Sequence, residues 1–523
     1  MHKPVCPVYL RLALLCASLV LGACTTLGPE YREPEVDWLQ DWQSSVYGQS
    51  AAEREEGEAD LQFWWQQFND PVLNRLIELA RRENPSLRIA GLRILESRAR
   101  LGIAGSALYP QLQQGTGAVT YVNNRYHGGE VHDDSQSFVG HQVGFNMGWE
   151  LDFWGRFKRG IESADAAFFG SIADQQDVQV LLSAQVADLY FAYRTTELRI
   201  AIAHENAAIQ KRSFEITNNI FKNGGGSELD VQQAKTQYLA TLATIPNLEL
   251  TLNKTRNALS ALLGRAPGDL PELAAGQAER LPDIGSADIP AIPASLLLRR
   301  PDIRSAASKV AAQSAQVGIA EADFYPAISL LGNISWSGST LDGSPDTGSL
   351  GIGPAFQWNL FDHGRIANNV RLQDARLQQL IETYQNTVLQ AAREIDDAAT
   401  SVVKTAEQQR YRNQSVQASE RALDIANRRF REGYSDFQRV LDSQRSKFAQ
   451  AENALVNHGN HISSVISLYK ALGGGWMATA VGQLIPEDTR ERMQERTDWG
   501  DLLSAPLPTN QVNTSATSGV SKK

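Results

Sequence analysis

The chain has 523 residues, 42% of them hydrophobic and 21% charged, which allows several domains and is ordinary for a globular protein. Its formal charge of −10 argues against nucleic acid as a partner. All three cysteines, Cys6, Cys16 and Cys24, lie in the first 24 residues, so the rest of the chain cannot form an internal disulfide.

Those first residues read as an export signal. Lys3 and Arg11 give a positive start, and the apolar run Leu12–Ala23 is too short to span a bilayer as a helix. The run ends in "LGAC", which resembles the bacterial lipobox, in which the cysteine is lipidated and becomes the mature N-terminus. Cys24 is that residue; an ordinary cleaved signal with a chance cysteine is the other reading. Thr25 follows where an inner-membrane retention signal would have Asp, so the resemblance implies sorting to the outer membrane. The expected order is a signal peptide at 1–23, whose loss of Lys3 and Arg11 takes the charge from −10 to −12, then a lipid-anchored linker at 24–60. No cofactor is expected beyond the covalent lipid on Cys24.

From residue 61 the chain repeats itself. "PSLRIAGLRILESRARLGIAGSALYP" (85–110) aligns without gaps to "PDIRSAASKVAAQSAQVGIAEADFYP" (301–326), a spacing of 216 residues. Gly102 meets Gly318, and Tyr109-Pro110 meets Tyr325-Pro326. "WELDFWGR" (149–156) then aligns to "WNLFDHGR" (358–365) at 209, a spacing that persists to Leu263-Gly264 and Leu472-Gly473. The first copy therefore has seven extra residues between Pro110 and Trp149, the place for a surface loop. The first repeat covers 61–290 and the second 291–475, and 476–523 is a C-terminal segment with a disordered tail from 504.

Each copy opens with a helical stretch that stops at Tyr-Pro, because proline fixes φ, lacks a donor and pushes the preceding residue out of the α region. Strands follow, at about 111–152 and about 327–361. Leu350, Ile352, Pro354, Phe356, Trp358 and Leu360 alternate with Ser349, Gly351, Gly353, Ala355, Gln357 and Asn359. Val139, Val143, Phe145, Met147, Trp149 and Leu151 form the matching face, which His141 interrupts. Such strands fit an outer-membrane barrel, although alternation also marks a soluble half-buried sheet. Four strands cannot close a barrel, since about eight is the practical minimum, and open edges are forbidden in lipid. Strands in a membrane would therefore require several chains to share one barrel.

Long helices come next, at about 157–263 and about 365–472. Residues 365–431 contain neither Gly nor Pro. Ile381, Val388, Ile395 and Val402 recur every seven residues, with Tyr384, Ala391 and Ala398 three further on, which is a coiled-coil seam. Gly224 and Gly433 suit helix C-caps, and Ser227 and Ser435 suit the following N-caps.

"FWWQQFNDPVLNRLIELARRENPSLRIA" (63–90), "ELDFWGR" (150–156), "ALLGRAPG" (261–268), "SLLLRRPDIRSA" (295–306), "GIAEADFYPAISL" (318–330) and "LYKALGGGW" (468–476) together resemble the outer-membrane factor family of tripartite efflux pumps. The likeness is to its lipoprotein branch serving resistance-nodulation-division exporters. It implies a mixed α and β fold: a trimeric 12-stranded outer-membrane β-barrel, four strands per chain, continued by a long periplasmic α-helical barrel. It also implies a homotrimer working with a periplasmic adaptor (membrane fusion protein) and an inner-membrane resistance-nodulation-division transporter. A conduit for type I protein secretion and a periplasmic coiled-coil scaffold are the alternatives.

An enzyme is not expected. His458 and His461 lack the Glu of a zincin motif and read as a solvated helix face. His127, His132, Asp133 and Asp134 fall in the external loop without fixed ligand spacing. Four methionines weigh lightly against a copper or silver route. The resemblance places a periplasmic gate at the two hairpin turns. It assigns Asp442 to a ring of carboxylates and Asp230 to a link between neighbouring helices. The family's tyrosine partner falls at Phe430, which has no hydroxyl, so either Arg429 supplies a salt-bridge latch instead or the closed state is looser.

Overall fold

A computed structural model describes residues 26–39, 61–124, 136–274, 280–284, 297–341 and 344–508. The expected signal peptide, Cys24, the loop at 127–134 and residues 509–523 of the tail lie outside them. The contacts divide the chain into two compact units. One takes the chain up to Glu35, Ile94–Ile172 and Ser305–Gln385; the other takes Val36–Arg93, Ala173–Arg304 and the chain from Asn386 onward.

The first unit is built on a four-stranded antiparallel sheet, β1 (Leu112–Asn124), β2 (Gln136–Leu151), β3 (Ala327–Ser339) and β4 (Thr347–Gln357), in sequential order. β2 pairs with β3, so the two copies join at the centre of the sheet. The outer edges of β1 and β4 have no partner strand among the described residues. The register places Val119, His141, Val143, Phe145, Ile334, Trp336, Leu350, Ile352 and Phe356 on one face. That face is not covered by the chain: Val119, Leu350 and Phe356 are 78%, 79% and 76% exposed. The other face carries Thr116, Asn146, Asn333, Ser335 and Ser349, with the Ser335 and Ser349 hydroxyls 2.6 Å apart. Apolar outside and polar inside is the pattern of a lipid-embedded barrel wall.

The turn from helix to strand is made the same way in both copies. Helix α2 (Pro85–Ser106) stops before Tyr109-Pro110. Its counterpart, labelled α6 because three helices intervene (Pro301–Ala322), stops before Tyr325-Pro326. Trp149 Nε1 donates to Leu108 O at 3.1 Å, and Trp358 Nε1 to Phe324 O at 2.9 Å. Tryptophans at this level suit a membrane interface, with the ring in the headgroups and the N–H satisfied by the turn. Among the described residues, no helix is long and apolar enough to cross a membrane.

The second unit is helical. Helix α1 (Pro71–Glu83) is capped by Asp70, which accepts from the backbone N–H of Val72 and Leu73. Two hairpins follow: α3 (Arg156–Lys222) with α4 (Glu228–Leu262), and α7 (Arg365–Arg431) with α8 (Phe437–Ala471). Two shorter helices are α5 (Pro271–Ala274) and α9 (Glu487–Arg496). At about 1.5 Å per residue, α3 and α7 each extend roughly 100 Å. Tyr384, Val388, Ala391, Ile395, Ala398 and Val402 are buried, as the heptad pattern requires.

Each copy ties its returning helix back with a side chain at one equivalent position. Asn84 Nδ2 donates to Leu262 O at 2.9 Å, while its Oδ1 accepts from Leu87 N. Arg300 stands at the same place in the second copy and donates Nη1–H to Ala471 O at 2.7 Å. Its other donors go to Asp302 (2.8 Å) and to Glu394 of α7 (3.0 Å). Leu262 and Ala471 are themselves repeat counterparts, so one joint is built twice, neutral in the first copy and ionic in the second.

Two expectations fail here. His461 is buried rather than solvated; its Nδ1 lies 2.8 Å from Thr405 Oγ1, and burial holds its pKa below the ordinary histidine value. His458 Nε2 lies 3.0 Å from Pro282 O. The segment 280–284 and α7 cover this side of α8, which the helix pattern alone could not reveal.

Asp177 lies beside the ionic joint. Burial first, then repulsion from Asp302, pushes it up to about 6, with Arg300 opposing. The folded chain therefore holds this proton more tightly than the unfolded chain. The stabilising contribution is complete below the ordinary 3.8 and is lost as pH rises through about 6. Asp177→Asn should raise the melting temperature of the detergent-solubilised protein near pH 7, and the gain should vanish towards pH 4. A melting temperature unchanged near pH 7 would contradict this description of the joint.

Candidate channel gate

The two hairpin turns lie in the second unit and share one construction. Gly224 N donates to Phe221 O and Gly225 N to Ile220 O; Gly433 N donates to Phe430 O and Tyr434 N to Arg429 O. Gly224 and Gly433 have φ of +78° and +79°, the left-handed conformation that ends a helix and that glycine adopts without strain. Ser227 caps α4 through Leu229 N, as expected. The second cap is Asp436, not Ser435: its carboxylate accepts from Arg439 N at 3.2 Å. Both turns have five residues between their helices, and at the repeat spacing of 209 Asp436, not Ser435, is the counterpart of Ser227; a carboxylate also suits the positive end of the helix.

Phe430 accounts for its missing hydroxyl. Its ring packs against Phe437 at 5.2 Å between centroids and joins an apolar cluster of Ala234, Phe437, Val440 and Leu441. It therefore binds the hairpins by burial where a tyrosine would add a hydrogen bond. Arg429 is exposed, and among the described residues it forms no ion pair with Asp230 or any other acid. It sits with Arg428 and Arg431 in the last turn of α7, where cations complement the helix dipole. Asp230 lies in the first turn of α4, half-buried, at the end of a helix that favours negative charge. The expected Asp230–Arg429 latch is thus not made within one chain.

Asp442 is half exposed on α8 and is not a bare carboxylate. Gln438 Nε2 donates to it at 3.2 Å, and Arg445 Nη1 lies 3.4 Å away. Arg445 was missed in the sequence, although its i,i+3 spacing from Asp442 is the signal that finds it. Close by lies a groove of about 640 Å³ whose lining includes Gln210, Gln233, Gln237, Gln438, Leu441 and Arg445. The amide oxygens of Gln210, Gln233, Gln237 and Gln438 are buried there and have no hydrogen-bond partner among the described residues. Buried acceptors left unpaired are costly, so such a cluster asks for donors from outside the chain.

The model of the outer membrane efflux protein family matches residues 76–265 and 292–474, one stretch in each repeat. The chain belongs to that family. It is 30% identical to the pyoverdine export outer membrane protein OpmQ of Pseudomonas putida over 90% of this chain and 98% of OpmQ. It is 29% identical to the cation efflux system protein CusC of Escherichia coli, over 89% of this chain and 99% of CusC. The solved outer-membrane channel OprN superposes with a TM-score of 0.74 at 30% identity, covering 86% of this chain and 99% of OprN. Membership carries the family's fold and place: an outer-membrane barrel shared by three chains of four strands each, continued by a periplasmic helical barrel.

The pairing of Asp442 with Arg445 makes a sharper test of the gate than the carboxylate alone. In single-channel recordings at about 0.1 M salt, Arg445→Gln should raise cation preference and Asp442→Asn should lower it. Both effects should shrink at about 1 M, where screening acts over roughly 3 Å. Selectivity unchanged in both variants at low salt would remove this pair from the constriction.

Proposed function

We propose that this chain is the exit duct of a tripartite efflux system, carrying small molecules such as drugs from an inner-membrane resistance-nodulation-division pump, through a periplasmic adaptor, to the outside. The observation that carries the reading is the sheet: apolar on its outer face, polar on its inner face, and open at both edges. Such a sheet is stable in lipid only when further copies close it, and a closed ring of this kind encloses a polar passage. The likeness to export and efflux proteins supports the direction of transport. Cargo selection belongs to the pump.

Three features complete the reading. Cys24 carries the lipid. The Asp442 carboxylates gather around the trimer axis and narrow the periplasmic end, tempered by Arg445. Asp230 and Arg429, unpaired within one chain, meet the neighbouring chain in the resting state, while Phe430 stays in the apolar cluster. The glutamine-lined groove takes the adaptor, whose donors satisfy the orphaned amide oxygens.

A photo-crosslinking residue placed at Gln233 in living cells tests the assembly. It should capture an adaptor that co-purifies with an inner-membrane transporter. Capture only of further copies of this chain would make the groove a subunit contact and remove the adaptor from it.

A further inference from the structure

Residues 26–35 run as a strap along the first unit without regular secondary structure. Leu27 donates its N–H to Trp154 O at 3.2 Å, just beyond the end of β2. Arg159, in the first turn of α3, holds the next residues. Its Nε donates to Leu27 O at 2.8 Å, and Nη2 donates to Gly28 O at 3.2 Å and to Glu30 Oε1 at 2.9 Å. Nη1 is anchored to Glu162 at 2.7 Å. The Arg159 side chain is only 2% exposed while that of Glu30 is 76% exposed, so the buried cation and the two carbonyls set the geometry. Ser314 of α6 donates to Pro29 O, and farther along Tyr384 and Gln385 of α7 donate to Glu33 and to Glu35 O. The strap thus gathers helices from both repeats.

The seat is cut to a chain without side chains at the crossing. Gly28 has φ of +84°, and a Cβ there would overlap the backbone of Gly318. A Cβ on Gly318 would press on Leu27 O, and one on Gly155 would press on Thr26. The internal duplication shows which part is particular to the strap. A Cβ on Gly102, the counterpart of Gly318, would meet nothing within 4 Å among the described residues outside its own helix, and Asn368 stands where the second repeat would need an arginine like Arg159.

We propose that Arg159 is the positioning residue that seats the N-terminal strap, and that this seat, rather than the lipid, fixes where the lipid-bearing end of the chain meets the bilayer. Leu27 is three residues from Cys24, so at about 3.3–3.6 Å per residue the modified cysteine is held within roughly 11 Å of Leu27. The second half of this proposal rests on lipidation of Cys24; the first half does not. Hydrogen bonds from an ionised donor are about twice as strong as neutral ones, and removing this donor leaves two carbonyls and the Glu162 carboxylate unserved.

Hydrogen exchange read by mass spectrometry on the detergent-solubilised full chain tests it. The Leu27 amide, which donates to Trp154 O, should exchange slowly in the unmodified sequence. Arg159→Ala should speed it by roughly tenfold or more and leave the β2 and β3 peptides unchanged, as expected for a local opening. Arg159→Lys should recover only part of the protection, because it keeps the charge and loses the fork. Gly318→Leu should release the strap with Arg159 still present, and it carries the test if Arg159→Ala does not accumulate. Cys24→Ser should leave the strap as slow as before. Unchanged protection in both Arg159→Ala and Gly318→Leu would overturn the seat. Release by Cys24→Ser as complete as by Arg159→Ala would assign the seating to the lipid instead. The mass of the N-terminal peptide reads lipidation separately: an unmodified Cys24 on a protected strap would sink the lipid reading and keep the seat.

Discussion

A strand in hydrocarbon has no water to satisfy its N–H and C=O groups, and this single constraint reaches through the first unit. It forces the apolar residues Val143, Phe145, Ile334, Leu350, Ile352 and Phe356 onto one face of the sheet. It leaves the free edges of β1 and β4 in need of neighbours that this chain cannot provide. It also explains why the chain is written twice. One copy supplies one pair of strands, and the β2–β3 pairing fuses the copies into a segment of wall that can be repeated around an axis. The Tyr-Pro turns, with Trp149 and Trp358 holding them, are where backbone pairing passes from helix to strand at the edge of the bilayer.

Duplication also separates structure from specialisation. Where the copies agree, they make joints and turns: Gly224 with Gly433, Trp149 with Trp358. Where they differ, charge appears. Arg300 replaces the neutral Asn84 and brings Asp302, Glu394 and the raised Asp177 with it. Arg159 stands opposite Asn368 in the alignment, and of the two, among the described residues, Arg159 alone holds a strap. Asp442 stands opposite Gln233, so the same height of the two returning helices carries a carboxylate in one copy and a buried amide in the other. The ionic features stand at positions of a frame that the two copies share.

The frame was legible because its signals are periodic. Alternation fixed the two faces of β4, sevenfold recurrence placed Val388, Ile395 and Val402 in the core, and glycine marked both hairpin turns. What failed to show depends on contacts between distant residues. His461 read as solvated because its cover comes from residue 284 and from α7. Ser435 and Asp436 are both good caps; the spacing of 209, which sets Asp436 opposite Ser227, is the signal that chooses between them. Arg159 is one arginine among many until Leu27 and Gly28 are beside it, and the groove glutamines look like a polar helix face until their oxygens are found buried. Of the expected gate residues, Asp442, Asp230 and Arg429 all sit at or near the hairpin turns.

The central claim is that the open sheet is closed by further copies of the same chain. Native mass spectrometry of the detergent-extracted protein, released gently from its micelle, measures this directly. The account predicts one dominant species of three chains, with strand content retained. A stable single chain that keeps its strands in solution without detergent would contradict it, because β1 and β4 would then be edges that tolerate water and the sheet would not be a barrel wall.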